Sequence, residues 1–347
     1  PGVFCISDGK TRYAMQIFGN QTGFILLDRK QRRTVLAFTA LSERIITLRT
    51  VVIPAAGKGT RLLPLTRVTA KELLPVYDKV VMDFAIEEAT AAGASRIVVV
   101  ISQSKLAIRD YLHDPVAATQ PSPARPVAVT AAAVASRRPE IVFAFQDEPL
   151  GLGHAVLCAK PFMLPGPFGV ILPDDVILGE NCLAEMRAEY ASGQMVAAME
   201  VAPKETAKYG IFALRGPARS SQSIPVSGMV EKPAAGTAPS TLAAVGRYIL
   251  DPMIFEILPH TKPGAGGELQ LTDAIAIAAN ALPLTAFKFS GTRFDCGNHA
   301  GLLSAALARQ RSLGLGASND WAQPRRSATL GPLRSVTAPS AVGDSLR

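Results

Sequence analysis

Between about residues 50 and 172 the chain alternates short runs of apolar, β-branched residues with longer stretches whose apolar positions recur every three or four residues. The runs 50–54, 96–101, 141–145 and 168–172 are apolar at successive positions, which predicts strands buried on both faces. The stretches 81–92, 104–112 and 153–159 predict helices between them. Strands alternating with helices predict an α/β fold, a doubly wound sheet covered on both sides. Gly93 is placed to end the first helix as a C′ residue, just ahead of the buried run Arg96–Val100.

Outside this zone the pattern fails. Residues 1–47 show neither a strand nor a helix period; 24–27 and 35–41 fit short strands or helix equally, so this extension receives no assignment and poor order is expected. Residues 114–140 are rich in Ala and Pro and predict a surface insertion or lid. Residues 313–347 are rich in Ser, Ala, Pro, Gly and Arg with few large apolar side chains, which predicts a disordered tail. A domain over 48–312 remains, with no internal repeat.

The formal charge of +8 invites a nucleic-acid reading. Its location argues against one. Residues 1–47 contribute seven basic and three acidic side chains and 313–347 four and two, so the domain holds only about +2 of the total. Cys5, Cys158, Cys182 and Cys296 are widely spaced, with no C-x-x-C pair, which excludes a disulfide framework or zinc site. No apolar run reaches the roughly 18 residues of a membrane span and no signal-peptide pattern is visible, so a cytoplasmic protein with no membrane partner is expected.

The chemistry begins where the first strand ends. Residues 51–66 read Val-Val-Ile-Pro-Ala-Ala-Gly-Lys-Gly-Thr-Arg-Leu-Leu-Pro-Leu-Thr, followed by Lys71-Glu72-Leu73-Leu74-Pro75. Gly57 and Gly59 let backbone N–H groups approach an anion closely, and Arg61 and Lys71 supply positive charge, as a triphosphate requires. Leu62 stands where a dinucleotide fingerprint needs its third glycine, and Gly59 follows Lys58 where a P-loop needs Ser or Thr. Asp174 follows the strand ending at Leu172, so it and the glycine loop both lie at carboxyl ends of strands, where ligands of such sheets gather.

Further motifs follow in order: Gln146 with Gly151-Leu152-Gly153-His154-Ala155, Leu172-Pro173-Asp174-Asp175, Lys208-Tyr209-Gly210, Val230-Glu231-Lys232-Pro233, Val245-Gly246-Arg247-Tyr248, Glu268-Leu269-Gln270-Leu271-Thr272-Asp273-Ala274 and Asp295-Cys296-Gly297-Asn298. From about Leu48 to Arg311 this series resembles the sugar-phosphate nucleotidylyltransferases, in particular the bacterial UTP:glucose-1-phosphate uridylyltransferases. The resemblance implies a three-layer αβα Rossmann-like fold with a mixed, mainly parallel central sheet. It implies in-line attack of glucose 1-phosphate on the α-phosphorus of UTP, assisted by Mg²⁺, and a homo-oligomer, dimer or tetramer. UTP and glucose 1-phosphate are then the small-molecule partners.

Residue by residue, the resemblance puts Arg61 and Lys71 on the nucleotide phosphates and Lys232 on the sugar phosphate. It places Ala55, Ala56, Gly57, Gly59 and Thr60 around the nucleotide, Glu72 on the nucleoside or else in an ion pair with a nearby basic residue, and Gln146 and Gly151 on the uracil edge, where an amide both donates and accepts. Gly210, Glu231, Lys232 and Gly246 fall on the sugar, with a simple turn as the other reading of the two glycines. Asp174 and Asp295 fall on the metal, and hard carboxylate oxygens suit Mg²⁺. Asp175 and Tyr209 read as structural, and His154 as helix-start packing, since a phosphate oxygen needs no general base. Four positions depart from the family pattern: Ala70, Val80, Asp83 and Phe145. Phe145, beside Gln146, bears on preference for UTP over dTTP. Two rivals stand beside this reading, a thymidylyltransferase of the same superfamily and a degenerate paralogue that binds sugar nucleotide without turnover.

Overall fold

A computed structural model describes residues 3–7, 12–18, 21–27, 35–37, 47–113, 138–216 and 221–314. In the first part, β1 (Val3–Ser7), β2 (Arg12–Phe18), β3 (Gln21–Leu27) and β4 (Val35–Ala37) pair antiparallel in chain order as one small sheet. Poor order was the expectation there. Apolar residues at both odd and even positions of these strands cancel the period-2 signal that would have announced them.

The main body runs β5 (Thr50–Pro54), the short pair β6 (Pro75–Val76) and β7 (Lys79–Val80), α1 (Val81–Ala91), β8 (Arg96–Ile101), α2 (Leu106–His113), β9 (Glu140–Phe145), α3 (Leu152–Cys158) and β10 (Phe168–Ile171). It continues with β11 (Asp175–Leu178), α4 (Cys182–Glu189), β12 (Gln194–Glu200), β13 (Gly210–Leu214), β14 (Ser223–Glu231), β15 (Leu242–Leu250), α5 (Ile254–Ile257), α6 (Leu271–Ala278), β16 (Leu284–Lys288), β17 (Thr292–Asp295) and α7 (His299–Ser312). Every element expected between 50 and 172 is present within two residues of its expected ends.

Nine strands form one mixed sheet in the order β12-β16-β14-β13-β15-β10-β5-β8-β9. Pairing is parallel through β10, β5, β8 and β9, and again between β12 and β16. It is antiparallel through β16, β14, β13, β15 and β10, so "mainly parallel" describes only the half built from the first part of the chain. Alternation along the strands explains their continuous apolar runs. Val51, Ile53, Ile97, Val99 and Ile101 pack with Met82, Ala85 and Ala89 of α1, Ile108 of α2 and Leu183 and Met186 of α4. Val52, Val98 and Val100 face the opposite layer, with Val156 of α3, Phe255 of α5 and Leu271 and Ile275 of α6. Each such Val, Ile, Leu, Met or Phe side chain, fully withdrawn from water, contributes roughly 1.5–3 kcal/mol. α1 is capped at both ends: Asp83 accepts the Val80 N–H (3.1 Å), and Gly93, at φ 90°, completes a Schellman turn with Ala94 N–H on Ala89 O (3.1 Å).

β11 and β17 lie apart from the large sheet as an antiparallel pair with Asp175 opposite Asp295. That pairing brings two acidic motifs 120 residues apart to one place (295 − 175). Most of the expected lid at 114–140 and nearly all of the expected tail at 313–347 fall outside the described residues. No helix among the described residues is long and apolar enough to cross a membrane.

Candidate active site

The glycine loop leaves β5 through a residue that is tied down. Ala55 is buried, its N–H donates to Val100 O (2.7 Å) and its carbonyl receives Lys105 Nζ (2.8 Å). Ala55 therefore anchors the loop, and presenting groups to a nucleotide falls to the residues after it. Gly57 is exposed, and no heavy atom lies within 4 Å of where its Cβ would stand. Gly59 sits at φ 68°, starts the turn Thr60–Leu62, and would press a Cβ to 3.0 Å from Thr66 and 3.3 Å from Lys71. Only glycine suits position 59 on both counts.

Opposite the loop, Lys71 Nζ donates to Asp174 Oδ2 at 2.6 Å, and Arg61 reaches Asp295 Oδ2 at 3.4 Å. Burial raises the Asp174 carboxyl, and the Lys71 ammonium overrides that and holds it below the usual range. Burial likewise lowers Lys71, and Asp174 and Glu72 together hold it above its ordinary value. Gly297 is the hub: a Cβ there would stand 2.6 Å from an Arg61 nitrogen and 3.0 Å from both Asp174 Oδ2 and Asp295 Oδ1. Two carboxylates and a guanidinium thus converge on one point that only a glycine leaves vacant. The donor set fits Mg²⁺, which takes one or two protein carboxylates and completes its shell with phosphate oxygens and water. No cluster of three metal-binding side chains occurs among the described residues.

On the base side, Gln146 is buried at the end of β9, and its Nε2 contacts Gly151 O (3.0 Å) and His154 Nδ1 (3.0 Å). His154 therefore does more than pack a helix start: it fixes the amide beside it. Gly151, at φ 101°, would bring a Cβ to 2.8 Å from Leu269 O, so the Glu268-Leu269 segment presses directly on this turn. On the sugar side Gly210 and Glu231 are register partners of β13 and β14. Glu231 accepts from Thr272 Oγ1 of α6 (2.7 Å), and half-exposed Lys232 lies 3.4 Å from it. Lys232 adopts φ 43°, a conformation that bulky residues avoid and that functional sites retain.

Two expected ligand residues have other occupations. Glu72 is fully buried, and Lys105 grips both its oxygens at 2.7 and 3.0 Å, so it is not open to a nucleoside. Gly246 is buried, gives its N–H to Asp175 Oδ2 (2.9 Å), and accepts at its carbonyl from Leu172 N (2.8 Å) and Arg247 (2.9 Å). Its missing side chain makes room for Leu172 and Asp175, 2.6 and 2.7 Å from a Cβ, rather than for a sugar. Asp175 is structural as expected, held by Arg293. The sequence reading missed Lys105, Arg293, Thr272 and the buried pair Arg247–Glu88. Arg247 and Thr272 lie inside quoted motifs, which was the one available signal.

The nucleotidyl transferase family model matches residues 50–312. The chain is 41% identical over 263 residues to a UTP–glucose-1-phosphate uridylyltransferase of Pseudomonas aeruginosa, covering 73% of this chain and 93% of that one. It is 39% identical over 266 residues to the Bacillus subtilis protein of the same name, covering 75% and 90%. Its fold is similar to that of a UDP-glucose pyrophosphorylase crystallised with UDP-glucose, at TM-score 0.66 and 35% identity over 76% of this chain and 99% of that one. A UTP-bound enzyme from Acinetobacter baumannii gives 0.65 and 31% over 76% and 94%. With its glycine loop, converging carboxylates and matched length, this chain belongs to the nucleotidyl transferase family.

Proposed function

We propose that this chain transfers the uridylyl group of UTP to glucose 1-phosphate, forming UDP-glucose and diphosphate. The observation that carries the reading is the convergence of Asp174, Asp295 and Arg61 on the space beside Gly297, with Lys71 paired to Asp174 and the open Gly57 loop facing them. A phosphate oxygen of the sugar attacks the α-phosphorus; that bond forms as the bond to the bridging oxygen breaks, and the electron pair leaves with diphosphate. No protein nucleophile is needed, and alignment and charge neutralisation supply the rate. Asp174 and Asp295 would hold Mg²⁺, which when bound draws phosphate oxygens together and offsets their charge. Arg61 and Lys71 neutralise the departing diphosphate. Gln146, oriented by His154 and Gly151, reads the base. Glu231 accepts from sugar hydroxyls and Lys232 holds the sugar phosphate. We assign the protein to the cytoplasm, in line with its small-molecule substrates, and to a homo-oligomer, as the family resemblance implies. Diphosphate release with glucose 1-phosphate and Mg²⁺ tests the reading, with UTP, dTTP, CTP, ATP and GTP compared. Preference for UTP is the expected result; dTTP preference would move the chain to the thymidylyl branch, and no release with any nucleotide would leave a binding paralogue.

A further inference from the structure

Arg293 lies on β17, two residues before Asp295, and its side chain is only 14% exposed. It serves two partners in different parts of the cleft. Its Nε donates to Asp175 Oδ1 at 2.8 Å, and a second nitrogen donates to the same oxygen. Asp175 in turn accepts the Gly246 N–H and is the immediate neighbour of Asp174. The other arm of the guanidinium meets Tyr209: NH1 donates to the hydroxyl at 3.3 Å, and the cation lies 5.6 Å from the ring centroid. Tyr209 then fixes the sugar side through its backbone, since its carbonyl accepts the Lys232 N–H at 3.0 Å. Lys232 is the residue held at φ 43°.

We infer that Arg293 is a positioning residue that couples the Asp174-Asp175 turn to the Tyr209–Lys232 turn and so sets the distance between the nucleotide and sugar-phosphate halves of the cleft. The inference rests on the uridylyltransferase reading and adds to it a route by which two groups from opposite arms of the sheet keep register. Arginine suits the task because its planar fork donates in two directions at once while its face stacks on tyrosine; a lysine supplies the charge without the fork. Misplacing a reacting group by about 1 Å can cost on the order of 100-fold in rate, so a brace between the halves acts on kcat without touching substrate.

The test compares Arg293→Ala, Arg293→Lys and Tyr209→Leu with the full-length wild type. Steady-state kinetics for each substrate are read beside calorimetric affinities for UTP and for UDP-glucose. Arg293→Ala is expected to lower kcat by about 10- to 100-fold and raise KM for glucose 1-phosphate about tenfold, with KM for UTP within about twofold. UDP-glucose affinity falls while UTP affinity holds, and Arg293→Lys recovers only part of the loss. Tyr209→Leu leaves the Arg293–Asp175 pair in place and so reports on the link if the alanine variant does not fold; it raises the sugar KM alone. Equal weakening of both ligands, or an unchanged sugar response in Tyr209→Leu, overturns the inference. A wild type inactive with UTP and glucose 1-phosphate sinks the uridylyltransferase reading instead, and the calorimetric comparison of the variants still judges the brace.

Discussion

The charges around the cleft come in two layers built from the same residue types. At the rim stand Lys71–Asp174, Arg61–Asp295 and Glu231–Lys232, each with at least one side chain partly open to solvent. Beneath them lie Lys105–Glu72 and Arg247–Glu88, nearly closed to water, and Arg293–Asp175, at 14% and 12% exposure only slightly less open than Lys71–Asp174. Neighbours in sequence divide between the layers, Lys71 above Glu72 and Asp174 above Asp175. The lower pairs tie elements together: Arg247 bonds Glu88 of α1 at 2.9 and 2.8 Å and also the carbonyls of Leu172, Gly246 and Asp175. Burying such pairs is expensive in desolvation, and what it supplies here is a fixed frame for the rim. The same pairing thus lies open to solvent in one layer, where we propose that it binds, and ties the architecture together in the other.

Substitutions should separate the layers. Asp174→Asn, the largest expected effect, should lower kcat on the order of 10²- to 10³-fold with the fold intact and a modestly lower melting temperature, because Lys71 loses the charge it is paired with; near-wild-type turnover would remove Asp174 as principal metal ligand. Glu88→Ala strands Arg247 in the interior and should cost about 3–5 kcal/mol in urea unfolding; a loss like that of a surface variant would show that the lower layer is not a frame. Lys232→Ala should raise KM for glucose 1-phosphate about 10- to 100-fold with little change for UTP, as loss of one charged hydrogen bond predicts. Smallest is Gly57→Ala, which should leave stability within about 0.5 kcal/mol, as at an ordinary surface position, while raising KM for UTP. Gly151→Ala, which meets backbone at 2.8 Å, should destabilise clearly, and equal unfolding midpoints for the two would erase the distinction.

Much of the first half was legible because β5, β8, β9 and β10 are short apolar runs separated by helical stretches, so local pattern and final environment agree. Gly93 was legible for the same reason. The antiparallel arm was not, since its partners are set by tertiary pairing: β12 lies beside β16, and β11 beside β17 far along the chain. At the site, ordered motifs point to Asp174, Asp295, Arg61 and Lys71, and the structure brings these four side chains together. For Glu72 the structure shows the ion pair rather than the nucleoside contact, and for Gly246 a packing role, because a motif does not tell whether a residue faces ligand or its neighbour. Lys105 and Arg293 left no trace at all, for a lysine or arginine reads as surface until its buried partner is known.

Gly297 carries one more consequence. The atoms that a methyl group there would crowd are the tips of Arg61, Asp174 and Asp295, mobile ends that can swing aside, rather than backbone. An alanine at 297 would therefore disperse the charges to which we assign the reaction while leaving every strand and helix in place. Chaperones and proteases judge a protein by its unfolded fraction and would not register the change. Inherited in a cell, such a lesion would be silent to quality control: full abundance, normal solubility and no product.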